Sequence, residues 1–300
     1  MSEIRINQKH KDRLFRFIFA NPEHKDWTLS LYNAVNGSSY RNPDEIQMTT
    51  VEDVIYLSMK NDLSFLLADT MSFYEHQSTY NPNMPMRMFL YAGMVYSRYV
   101  EKHKDSINLN SSRQQSLPTP KLVCFYNGMA DQPEKKILKL SSSFSRGEES
   151  DIEVRVNMLN INFGRNRGIL EVCKPLAEYS YFTEHVRQYR TETDDMDLAV
   201  EKAIRDLPED SVIEPFLRAN MAEVKKMCLT EYDEAYEREF LINENRKEGR
   251  AEGLAEGRAL EAKRMDKLVS GLLTQNRIDD LKRATTDNEF KEKLYREFNI

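Results

Sequence analysis

Two short apolar runs, Leu63–Leu67 and Met71–Tyr74, stand on either side of Ala68-Asp69-Thr70. Runs of that length, rich in β-formers and joined by a tight polar connection, read as a β-hairpin. If the turn centres near Ala68-Asp69, Asp62 lies opposite or almost opposite Glu75. Residues opposed in an antiparallel pair have Cβ atoms ~4.5–5.5 Å apart, and like charges there are destabilising unless something offsets them. A hard divalent cation would do so. Because side chains alternate along a strand, Glu75 and Gln77 share one face and His76 points to the other. Asp62, Glu75 and Gln77 are therefore expected to converge, while His76 packs on the reverse side of the sheet. Asp69 is the rival carboxylate, but this reading leaves it in the turn, away from Glu75.

The elements around the hairpin limit the fold further. Leu14–Phe19 reads as a short buried helix. Asn21-Pro22 marks a second start, with apolar residues at helical spacing from Trp27 to Val35 and Gly37 as the stop. Val54–Leu57 reads as a strand before the hairpin. Asn83 is placed to cap the next helix, with Met84, Met88, Tyr91, Val95 and Tyr99 as its apolar stripe. Lys121–Tyr126 is a strand ended by Asn127-Gly128, and Val154, Val156 and Met158 alternate as a last strand. Polar loops are expected at 105–115 and 141–149. The order is α-β-β-β-α-β, an α/β (α+β) chain with a mixed sheet flanked by helices.

Beyond that core the pattern turns helical, with helices near Leu176–Arg190, Asp195–Asp206 and Ile213–Arg246, the last expected to contain breaks. From Lys247 a period of four places Gly249, Gly253 and Gly257 on one drifting helical stripe. That stripe is either a weakly helical charged spacer or a face that admits a second helix closely. Leu268, Leu272, Leu273, Ile278 and Leu281 read as a small terminal helical unit. The resulting division is a core over 1–165, a helical extension packed on it over 166–246, and a Glu-Gly helix with a C-terminal unit over 247–300. Homo-oligomerisation through the C-terminal helices is the hypothesis these features raise.

The Glu75-His76-Gln77 pattern and its partner Asp62 resemble the D…(D/E)-x-K core of the PD-(D/E)XK nuclease superfamily. The specific likeness is to the recombination-promoting nuclease / transposase family, in which Glu-x-Gln replaces Glu-x-Lys. The likeness continues in Asn81-Pro82-Asn83-Met84-Pro85-Met86-Arg87, Pro118-Thr119-Pro120, Phe125-Tyr126-Asn127-Gly128, Met158-Leu159-Asn160-Ile161-Asn162 and the repeated Glu-Gly pairs of the tail. It covers about Lys9 to Arg258, and this ordered series is far more specific than a bare D…ExQ. The resemblance implies a restriction-endonuclease-like core and Mg²⁺ (or Mn²⁺) held by Asp62, Glu75 and the His76 backbone carbonyl. It also implies Gln77 orienting the attacking water, Asp12 as an added ligand whose site is offset from the family's pattern, and DNA as the substrate, cut with little sequence preference. A transposase role finds no separate motif here.

Composition limits this reading in one respect. A net charge of −6 gives no general attraction to nucleic acid, so positive charge must be local. Lys9, Lys11, Arg13 and Arg16, the pair Arg165 and Arg167, and Arg87 and Arg98 are the candidates, and a basic rim at the hairpin would favour DNA. Two other readings stand beside the nuclease: a catalytically decayed module of the same fold that binds DNA or oligomerises, and an interaction protein with no nucleic-acid role. With 40% hydrophobic residues the chain can build a core. It shows neither a membrane-spanning run nor a signal peptide's apolar stretch, so no membrane partner and a cytoplasmic location are expected. Cys124, Cys173 and Cys228 form neither a disulfide framework nor a zinc set and are expected reduced and packed.

Overall fold

Strand order in the sheet follows from the hairpin and two crossovers. The computed structural model describes residues 14–49 and 62–300, with the backbone alone over parts of the long C-terminal helix. Its six strands are β1 (Gln47–Met48), β2 (Leu63–Leu67), β3 (Thr70–Gln77), β4 (Thr119–Tyr126), β5 (Lys135–Lys139) and β6 (Arg155–Asn160), arranged β1-β2-β3-β4-β6-β5. The pairs β1/β2, β2/β3 and β5/β6 are antiparallel, while β3/β4 and β4/β6 are parallel. Leu67 pairs with Thr70, so Ala68 and Asp69 alone make the turn, Ala68 with φ at 51°. Positive φ at the first central residue suits the twist of a hairpin, at a steric cost to any side chain.

Alternation along the strands sorts the core into two faces. Leu63, Phe65, Leu67, Tyr74, Val123, Phe125 and Leu159 lie in the larger cluster with residues of α1 (Leu14–Phe19), α2 (Lys25–Asn36), α4 (Arg167–Val172), α5 (Lys174–Glu192), α6 (Met196–Arg205) and α7 (Glu214–Ala219). On the opposite face Met71, Phe73, Cys124, Tyr126 and Met158 meet α3 (Met84–Lys102) through Met84, Met88 and Val95. Full burial of each such side chain contributes about 1.5–3 kcal/mol. The result is an α/β architecture, a mixed sheet with helices on both faces.

Local signals act where the sequence places them, with some differences. Asn21 accepts the Glu23 N–H to cap a 3₁₀ turn, Pro22–His24, and Gly37 ends α2 in the left-handed region at φ 63°. Asn83 holds the cap position of α3 but makes no side-chain cap bond; Asn81 Oδ1 instead accepts the Asn83 N–H. The expected strand at Val54–Leu57 lies outside the described residues. The strands β1 and β5 and the helix α4 were not expected. The loop expected over 141–149 carries two 3₁₀ turns, Leu140–Ser143 and Gly147–Glu149. The helix expected to break within Ile213–Arg246 breaks at Asn220 and then runs on as α8 (Met221–Thr274).

The chain divides into two units, one through Tyr236 and one over Glu237–Ile300. The first holds the sheet and α1–α7, so helices α4–α7, which follow residue 166, share its core. The second comprises the rest of α8, α9 (Ile278–Ala284) and α10 (Asn288–Glu297) around Leu268, Leu272, Ala284, Leu294 and Tyr295. Leu281 packs against this cluster, whereas Leu273 and Ile278, expected within it, are exposed. A Cβ added at Gly249, Gly253 or Gly257 would meet nothing. Among the described residues, no helix is long and apolar enough to cross a membrane.

All three cysteines are buried, and none is in a disulfide. Burial raises the thiol pKa of Cys173 and Cys228, which lowers the reactive thiolate fraction. Thiol reagents are therefore expected to label the native chain only as fast as it opens, and in three equivalents once denatured. Rapid labelling of the native chain in a timed absorbance assay would contradict this packing.

Candidate functional site

The register of the hairpin builds the site. Leu63 pairs with Tyr74, so the next rung sets Asp62 across from Glu75. Asp62, Glu75 and Gln77 are 5%, 0% and 4% exposed. Glu75 and Gln77 share the face covered by α3. Each carboxylate accepts a peptide N–H from the other strand: His76 donates to Asp62 Oδ2 at 2.7 Å, and Asp62 donates to Glu75 Oε1 at 3.2 Å. These two bonds continue the ladder by side chains where it would otherwise fray, and they hold both carboxylates in place.

Buried carboxylates also need countercharge, and α3 supplies it. Arg87, in the helix's first turns, sets Nη2 3.3 Å from Glu75 Oε2 and donates to the Tyr91 hydroxyl at 3.3 Å. The i, i+4 spacing of Arg87 and Tyr91 brings both over the carboxylate from one helical face. Burial, with the nearby Glu75 charge adding to it, pushes the Tyr91 phenol up to about 12. Part of the offset expected from a cation thus comes from a guanidinium. Nothing in the sequence ties Arg87 to Glu75, except that an arginine interrupts the apolar run Met84-Pro85-Met86-Arg87-Met88.

His76 occupies the reverse face, as expected. Its ring stacks on Phe15 with centroids 5.3 Å apart and its Nε2 shares a 3.0 Å hydrogen bond with the Tyr179 hydroxyl. Its backbone N–H reaches Asp62, and in a strand the C=O of a residue points to the same edge as its N–H. The His76 carbonyl therefore faces the side on which the Asp62 carboxylate sits. Gln77 Oε1 accepts the Asn81 N–H at 3.3 Å, while its Nε2 is buried without a partner among the described residues. A buried donor left unpaired costs about 1–3 kcal/mol, so this amide is set to receive an oxygen.

Other candidates fall elsewhere. Asp69 is in the hairpin turn. Arg165 is exposed and paired with Asp131 at 3.1 Å. Asp12, with Lys9, Lys11 and Arg13, lies outside the described residues. Of the expected basic rim, Arg87 reaches Glu75 among the described residues.

No family model, curated protein or solved structure matches this chain. Among the described residues, no group of three or more His, Cys, Asp or Glu side chains could hold an ion. Two carboxylates and a peptide carbonyl nonetheless fit a hard cation, since Mg²⁺ takes one or two carboxylates from a protein and completes its shell with water and phosphate oxygens. Arg87 competes for one of those carboxylates.

Proposed function

We propose that this chain is a Mg²⁺- or Mn²⁺-dependent DNA endonuclease with a PD-(D/E)XK core, of the recombination-promoting kind, hydrolysing phosphodiester bonds with little sequence preference. The observation that carries the reading is the hairpin register, which sets Asp62 across from Glu75 with Gln77 two residues on, all three buried on one face. The arrangement of hairpin, α3 and the parallel strand β4 is compatible with such a core.

Asp62, Glu75 and the His76 carbonyl would hold the cation, which when bound would neutralise phosphate charge and lower the pKa of an attacking water. Gln77 would orient that water through Nε2, a donor without a partner among the described residues. An amide can donate and accept hydrogen bonds but carries no charge and takes up no proton at neutral pH, so Gln77 positions the water without serving as its base. Arg87, beside Glu75, would supply positive charge to the phosphate. Partners in this reading are DNA and, through the helices of the second unit, another copy of the chain.

The alternative is a decayed nuclease-fold module acting in DNA binding or oligomerisation. What favours it is that backbone N–H groups and Arg87 already satisfy the carboxylates without a cation. The test is incubation of the purified chain with supercoiled plasmid and with single-stranded RNA in millimolar Mg²⁺, Mn²⁺ or EDTA. Nicked and then linear plasmid is expected with either cation and none with EDTA. Intact plasmid under every condition, from protein with a cooperative melt, would transfer the case to the decayed module.

A further inference from the structure

The parallel strands β3, β4 and β6 end side by side at Gln77, Tyr126 and Asn160. The residues just beyond form one polar network. Asn127, 1% exposed, donates its backbone N–H to the Gln77 carbonyl at 2.8 Å. Gly128 lies so close to the following turn that a Cβ there would overlap the Ser78 carbonyl oxygen and crowd the Tyr126 ring. The Asn127-Gly128 backbone is thus pressed against residues 77 and 78, and only glycine fits.

This segment is in turn held from α5. Arg187 Nη2 donates to the Asn127 carbonyl and, at 2.5 Å, to Asn127 Oδ1, while Nη1 donates to Asn162 Oδ1 at 3.1 Å. Asn162 Nδ2 donates onward to the Gly128 carbonyl at 2.9 Å, and Asn127 Nδ2 to Thr183 Oγ1 at 2.9 Å. One half-buried guanidinium therefore locks the Asn-Gly turn through two amide side chains, and the turn locks the end of β3.

We infer that Arg187 is a positioning residue for Gln77, acting through Asn127; this rests on the reading of Gln77 as the group that orients the water. A lysine at that place would act by its charge, which tolerates displacement, but a neutral amide acts only by a hydrogen bond whose strength falls steeply with angle and distance. A chain with glutamine there needs a rigid backbone beneath it, and the network supplies one. The two sequence blocks around Asn127-Gly128 and Asn160–Asn162 acquire a role in this way, although neither contributes a side chain to the carboxylate site.

Arg187→Lys in the full chain keeps the charge and loses the fork. Its kcat for plasmid nicking is expected to fall on the order of 10²-fold with KM within about twofold, as for a slightly misplaced reacting group. In a Gln77→Ala background the same change should alter kcat by less than about twofold, because the group being positioned is gone. Equal losses in both backgrounds, or a loss confined to KM, would overturn the inference. Should the wild type cut nothing, the nuclease reading fails and a second readout decides this one. The Gln77 side-chain amide pair, identified in the ¹⁵N–¹H spectrum by its absence from Gln77→Glu, should shift or broaden in Arg187→Lys. An unmoved pair would overturn the inference. If Arg187→Lys does not fold, Asn162→Ala removes one of the two amides that hold the turn and is read in the same two ways.

Discussion

Asp62→Asn is expected to lower the rate of Mg²⁺-dependent plasmid nicking by about 10²–10³-fold, the loss typical of removing one group that stabilises charge in the transition state. The amide keeps an oxygen that can accept the His76 N–H, the 2.7 Å bond that holds Asp62 in place, so the strand ends stay together. What it loses is the negative charge a hard cation requires. Loss of stability should stay within about 1–2 kcal/mol, the difference between a charged and a neutral acceptor. Glu75→Gln should be as inactive but less stable, because it also strips the countercharge from Arg87. Asp62→Asn is the cleaner variant for that reason. Cleavage within about tenfold of wild type, with matched melting curves, would remove Asp62 from the chemistry.

The readable and unreadable parts of this fold divide along the range of the interactions that make them. The hairpin register could be read because a two-residue turn fixes pairing and alternation fixes the face, both local properties. The buried stripe of α3 and the Gly37 stop were legible for the same reason. Strand β5 was missed because Lys135-Lys136-Ile137-Leu138-Lys139 keeps lysines on the sheet's edge, which guards against further pairing and makes the segment read as polar. Helix α8 passes through the Glu-Gly repeat, where three glycines at about 1 kcal/mol each are offset by flanking Ala, Leu, Glu and Arg, all strong helix formers. At the site, the carboxylates and Gln77 were visible as a pattern. Arg87 could be read only as a candidate for a basic rim, and neither its pairing with Glu75 nor the hold of Arg187 on Asn127 was visible, since these partners lie 12 and 60 residues away and no local spacing encodes either contact.

Replacing Arg87 by methionine is expected to destabilise the metal-free chain by about 2–4 kcal/mol, because Glu75 keeps a buried charge that has lost its guanidinium. Methionine fills much of the arginine stem's volume, so the loss measures the charge rather than a cavity. The melting temperature should fall by on the order of 5–10 °C. Mg²⁺ should then restore more stability to this variant than to the wild type. A ligand present at 100 times its Kd contributes about 2.7 kcal/mol, and in the wild type part of that is spent displacing Arg87 from the same oxygens. Thermal melts of both proteins with Mg²⁺ and with EDTA measure this difference directly. If Mg²⁺ raises the melting temperature of the variant more than that of the wild type, guanidinium and cation share one seat on Glu75, and Arg87 serves as the ion's placeholder. If Mg²⁺ moves neither protein, the carboxylate has no cation to receive, and Arg87 and Glu75 are a structural pair that ties α3 to the sheet.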